Sequence, residues 1–225
     1  QYYAFISYKR EDEKWAKWLQ DRLRWYKLPS KLCRQITRLP KKVWPVFRDN
    51  TDLDSGRLEE NIRHELERSH YLIVICSPEA ARSPWVGKEV KYFATLHGAD
   101  KIIPFVVSGI PYSNDIETEC IHEQIKAISQ EELLAINVRE EGIGSFAMKK
   151  KRAFIRVVAR LLDIKFNTLW QPYERILRIR KWSTGIGVVL FLFVLFILWD
   201  YYRTKNEYFA DYVDRWGIPE GVIEL

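Results

Sequence analysis

Short apolar runs alternate with amphipathic stretches through the first 165 residues. Runs at 3–7 (YAFIS), 43–47, 71–76 (YLIVIC), 102–107 (IIPFVV) and 133–138 are nearly continuous in hydrophobicity and mostly β-branched or aromatic, as strands buried on both faces read. Between them, helical spacing marks 12–26, 56–69, 84–97, 120–128 and a long stretch from about 145. In the first, Trp15, Leu19, Leu23 and Tyr26 fall on one stripe at i, i+4, i+8 and i+11. Strand and helix in alternation predict an α/β fold, a parallel five-stranded sheet flanked by helices. Such sheets bind ligands beyond the carboxyl ends of their strands, so segments 7–10, 48–56 and 77–85 are the places to look for chemistry.

A different pattern follows. Residues 183–198 (STGIGVVLFLFVLFIL) contain no ionisable group, and with Trp182 and Trp199 they make eighteen residues, about 27 Å as a helix, enough to cross a bilayer's hydrocarbon. Trp182, Trp199, Tyr201 and Tyr202 stand where an interfacial aromatic belt belongs. A core helix of a soluble fold is the alternative. Residues 149–182 hold eleven Lys or Arg against Asp163 and Glu174, a balance of +9, whereas 200–225 hold three bases against six acids, a balance of −3. The positive side stays inside, so 1–182 are expected in the cytoplasm and the C-terminus across the membrane. The expected organisation is a domain at 1–165, a basic juxtamembrane helix at 166–182, a transmembrane helix at 183–199 and an extracytoplasmic segment at 200–225, the start of a further module. Anionic headgroups account for the basic block, so the lipid bilayer is an expected partner and nucleic acid is not.

With 47% hydrophobic and 14% aromatic residues the chain has material for one sizeable core, which excludes disorder. Three widely spaced cysteines argue against a disulfide scaffold and for a reducing compartment. No metal is expected: HELER (64–68) and HEQIK (122–126) lack the second histidine of a zinc helix. Neither G-x-S-x-G nor G-x-x-x-x-G-K-[ST] occurs. From Arg22 to Arg48 there are nine bases and no acid, with Pro29 and Pro40 breaking helix; this reads as a solvated loop or as a contact to anionic lipid or an acidic partner.

One acid is out of place. Ser83-Pro84 marks a helix start, as an N-cap followed by proline at the first helical position. With Trp85 at 0° and about 100° per residue, Leu96 falls at about 20°, Phe93 at about 80°, Val86 at about 100° and Val90 at about 140°. Glu89 lands at about 40°, inside that apolar arc, while Lys88 and Lys91 lie opposite. A carboxylate there must be solvated by a cleft, kept protonated or paired, for instance with Arg10.

YAFISYKR (3–10), FRDNTDLDSGRL (47–58) and SPWVGKE (83–89), in that order, resemble the first box, the BB loop and the third-helix signature of the Toll/interleukin-1 receptor (TIR) domain family over residues 1–165. The resemblance implies a flavodoxin-like parallel five-stranded sheet followed by a single transmembrane helix, an order similar to a bacterial membrane-anchored subgroup. The family divides into scaffolds that signal by TIR–TIR contacts and enzymes that cleave NAD+. In the enzymes the glutamate matching Glu89 is catalytic. The matching substrate-binding positions are Tyr8, Lys9 and Arg10 for phosphate and ribose, Asp49, Asp54 and Gly56 on the BB loop, and Trp85 beside the acid. Lys9 replaces an arginine of some enzymatic members, keeping the charge but losing the bidentate fork. The implied activity is an NAD+ nucleosidase that releases nicotinamide and an ADP-ribose product on self-assembly as a homo-oligomer, with NAD+ as substrate and no separate cofactor. The alternative is a non-enzymatic scaffold.

Overall fold

The computed structural model describes residues 1–36, 39–40, 42–48, 56–128, 135–139 and 145–216. Five parallel strands, β1 (Tyr2–Ser7), β2 (Val46–Arg48), β3 (Ser69–Cys76), β4 (Ile102–Val106) and β5 (Ile136–Asn137), form one sheet in the order β2-β1-β3-β4-β5. Helices α1 (Glu13–Trp25), α2 (Ser30–Gln35), α3 (Gly56–Glu67), α4 (Pro78–Ala81), α5 (Pro84–His97), α6 (Glu123–Ile128) and α7 (Phe146–Leu161) accompany it, and α8 (Phe166–Trp216) follows. Because β2 and β3 flank β1 on opposite sides, the strand order reverses at β1, which opens a crevice at the carboxyl ends of β1 and β3.

The sheet is covered on both faces, which is why its strands are apolar throughout. Phe5, Leu72, Val74 and Val106 share a buried cluster with Ile62 and Leu66 of α3 and with Val86, Val90 and Phe93 of α5. On the other side Trp18 of α1 stacks on Phe105 of β4 and meets Phe154 of α7 edge-on. Phe5, Phe93 and Phe105 are completely buried, each worth about 1.5–3 kcal/mol by transfer. That driving force lets the same core carry two buried carboxylates, Asp12 and Glu89.

Helix α5 occupies the residues its signature predicts, and β1, β3 and β4 fall within two residues of expectation. Strand β2 does not. The run at 43–47 pairs only from Val46, because Pro45 has no N–H to give a ladder; its carbonyl accepts from the Tyr3 N–H at 2.7 Å. The stretch between Pro29 and Pro40, read as a loop, contains α2. Helix α4 also escaped prediction, although Ser77-Pro78 repeats the Ser83-Pro84 start signal.

The first compact unit runs Gln1–Trp170, five residues past the expected 165, since Leu169 and Trp170 are buried and Phe166 stacks on Trp170. The second unit is Gln171–Leu225. Within it Ile186–Lys205 is a helical stretch long and apolar enough to cross a membrane, none of it buried, and helix continues beyond 199 to Trp216.

Candidate active site

The site begins with the way α5 is held. Pro84 occupies its first turn, but the Ser83 hydroxyl makes no cap bond; the Ser83 carbonyl instead accepts from the Gly87 N–H at 3.2 Å and from His122 Nε2 at 3.1 Å. His122 Nδ1 accepts from the Gln124 N–H at 3.0 Å, so the ring proton sits on Nε2 and points at Ser83. Burial lowers the His122 pKa, the bond to Ser83 opposing it in part. Gly87 makes this approach feasible: a Cβ there would lie 2.5 Å from His122 Cε1. His122 is thus a satisfied structural histidine that orients the turn carrying Trp85 and Glu89.

The apolar arc of α5 is narrower than its sequence implies. Val86, Val90 and Phe93 are buried, but Trp85 and Leu96, on the other edge, are 41% and 47% exposed. Glu89 stands at the boundary, 9% exposed. That boundary faces a cavity of about 320 Å³ walled by Ile62 and Leu66 of α3 and by Trp85, Glu89 and Tyr92 of α5. Arg63, Lys88 and Lys91 also line it. Lys88 Nζ lies 4.7 Å from the centre of the Trp85 ring and the Arg63 guanidinium 5.4 Å from that of Tyr92. The Tyr92 hydroxyl donates to Glu67 Oε1 at 2.5 Å, a bond that raises its pKa.

Behind the cavity lies the carboxyl end of β1. Ser7, the last strand residue and fully buried, donates its hydroxyl hydrogen to Glu89 Oε2 at 2.5 Å. After it come Tyr8, Lys9 and Arg10, and then Asp12, whose buried carboxylate accepts from the Ser77 hydroxyl just past β3. Ser77 Oγ also accepts from the Ala80 N–H and so caps α4. Burial is the main reason the Asp12 pKa is raised, the Ser77 bond working against it. Two serine–carboxylate bonds therefore bracket the 8–10 loop.

Of the residues predicted for the site, Trp85 and Glu89 share the cavity. Tyr8, Lys9 and Arg10 follow β1 without lining it: Lys9 is half-buried and Arg10 exposed in a 3₁₀ turn. Gly56 is the first residue of α3. Asp49 and Asp54 lie outside the described residues. Arg48, absent from the prediction, ties this region together. Its Nη1 donates to the Tyr8 hydroxyl at 3.1 Å and to Glu13 at 3.2 Å, and its Nε donates to Gln20 at 3.2 Å. A base that ends a buried edge strand was the available signal, and Ser7, polar at the end of an apolar run, was another. Among the described residues no group of three or more His, Cys, Asp or Glu is arranged to hold a metal ion.

The TIR domain family model matches residues 4–141. The chain belongs to the TIR domain family. This TIR domain is 36% identical over 110 residues to the NAD(+) hydrolase ApTIR of Actinoplanes sp., a match taking in 48% of the chain and 14% of that relative. The chain thus spans a small part of that relative's length. Among solved structures, the TIR domains of the activated Roq1 resistosome match at 14% identity over 70% of this chain and 99% of that one, with a TM-score of 0.46.

Proposed function

We propose that this TIR domain is an NAD+ nucleosidase in which Glu89 is the catalytic residue. The observation that carries the reading is a nearly buried carboxylate, hydrogen-bonded from behind, lining a largely apolar cavity beside an indole. The sequence relative named as an NAD(+) hydrolase supports the same class. Nicotinamide in NAD+ is already a cationic pyridinium, so it leaves with the electrons of the broken C–N bond and needs no general acid. The ribose carbon becomes oxocarbenium-like, and a fixed negative charge beside it stabilises that state, as an oxyanion hole does with opposite sign. Water then bonds to the ribose carbon, its proton passes to solvent, and an ADP-ribose product departs.

In this reading Trp85 walls the nicotinamide side. Tyr8, Lys9 and Arg10 meet the ribose and phosphates, and Asp49, Asp54 and Gly56 are the further substrate-binding positions that the resemblance implies. The Tyr8–Arg48 bond supports that assignment by fixing the first of these side chains. Activity arises on self-assembly into a homo-oligomer. Ile186–Lys205 anchors the chain in a bilayer, with the TIR domain on the cytoplasmic, basic side and residues beyond 205 across it, as in bacterial membrane-anchored members. The full chain, reconstituted at high density in bilayers, is expected to release nicotinamide from NAD+. Absence of release above a Glu89→Ala control would leave a non-catalytic scaffold instead.

A further inference from the structure

We infer that Ser7 is a positioning residue, whose hydroxyl fixes the Glu89 carboxylate through Oε2 beside the reacting ribose; this rests on the nucleosidase reading above. The two residues are 82 positions apart and meet at 2.5 Å with both side chains buried. A glutamate has three side-chain torsions, and on the rim of a cavity of about 320 Å³ it has room to turn. Ser7 has little such freedom. It closes β1, the strand flanked by β2 and β3, and its backbone is in register with Val74 of β3. The sheet therefore holds the serine, and the serine holds Oε2. A carboxylate fixed in advance need not reorganise as positive charge develops at the ribose carbon, which is where preorganised electrostatics acts.

The hydroxyl has a second consequence. A carboxylate that is 9% exposed has lost most of its water, so each hydrogen bond it keeps counts for more than it would at the surface. Without Ser7 Oγ the carboxylate loses the bond that ties it to the sheet and is expected to turn on the cavity rim, away from the ribose carbon. Removal of the hydroxyl thus misplaces the charge rather than deleting it. The effect belongs in kcat and not in substrate capture.

The test uses the full chain in bilayers with NAD+, comparing wild type, Ser7→Ala, Ser7→Thr, Glu89→Ala and the double variant Ser7→Ala/Glu89→Ala. Ser7→Ala is expected to lower kcat about 10- to 100-fold with KM within about threefold, and Ser7→Thr to recover most of the loss. In the Glu89→Ala background Ser7→Ala is expected to change the residual rate less than twofold, because the two side chains act as one unit. Thermal midpoints supply a readout independent of turnover: Ser7→Ala should lower the midpoint when Glu89 is present and much less when it is absent. Ser7→Ala with wild-type kcat, multiplicative losses in the double variant, or no coupling in the midpoints would overturn the assignment. If wild type releases no nicotinamide while the midpoints still couple, the nucleosidase reading falls and Ser7 remains the group that positions Glu89. If the midpoints do not couple either, both fall.

Discussion

Two buried carboxylates in this molecule are each bonded to a serine near the carboxyl ends of the strands, and the proposed function gives them different work. Asp12 meets Ser77, whose oxygen also caps α4, so this pair joins three pieces of backbone at the start of α1. Glu89 meets Ser7 at the end of β1 and lines a cavity whose lining includes an indole and three cations. The chemistry of the two bonds is nearly the same. Of the two, Glu89 is the one that lines the cavity between α3 and α5. In the proposed function that cavity is what brings a substrate to the Glu89 carboxylate, while the Asp12 pair holds backbone together.

If the contrast holds, Glu89→Gln has the largest effect, lowering nicotinamide release by about 10²- to 10³-fold as expected when a preorganised charge is removed, with little change in folding. Gly87→Ala comes next, because the new methyl must displace the His122 ring that orients the α5 turn. It should destabilise by about 1–3 kcal/mol, read in urea unfolding, and weaken turnover through Glu89. Unchanged stability would show that His122 gives way without consequence.

Asp12 tests the other half of the contrast. Asp12→Ala strands the Ser77 hydroxyl and is expected to reduce stability by about 1–3 kcal/mol while leaving kcat of the folded protein within about threefold. Asp12→Asn keeps an acceptor and removes the charge. Because burial raises the Asp12 pKa above 3.8, its contribution is fully present below that value and is lost as pH rises through the folded value. The stability of Asp12→Asn relative to wild type should therefore grow from pH 4 to pH 7, and a flat difference would contradict the burial. The smallest effect belongs to His122. Its pKa is lowered from 6.5, so its contribution is present above pH 6.5 and is lost as pH falls through the folded value. A midpoint drop of a few °C between pH 7.5 and pH 5.5 is expected, reduced in His122→Gln.

Much of this was legible in the chain. The apolar runs of β1, β3 and β4 are continuous because helices cover both faces of the sheet, and period alone reveals that. Glu89 was legible because one acid on an apolar arc violates the pattern. The edge was harder: β2 is three residues long and its start is set by Pro45, which hydrophobicity does not register. The Leu96 and Trp85 side of α5 looked like core because apolar residues share one spacing whether they fill a core, wall a cavity as Trp85 does or stand exposed as Leu96 does. Ser7, Ser77 and Arg48 were hidden for another reason. Their roles depend on partners 82, 65 and 40 positions away, and no local pattern encodes which distant side chain a hydroxyl or guanidinium will meet.

The most direct measurement sets the two carboxylates side by side: nicotinamide release from NAD+ by the full chain at high density in bilayers, for wild type, Glu89→Gln and Asp12→Asn, at matched folded fractions. Release by wild type and Asp12→Asn within about threefold of each other, with Glu89→Gln at least about 100-fold slower, is the predicted result. Equal rates for wild type and Glu89→Gln, or no release from any of the three, would contradict the assignment of Glu89 as the group that cleaves NAD+.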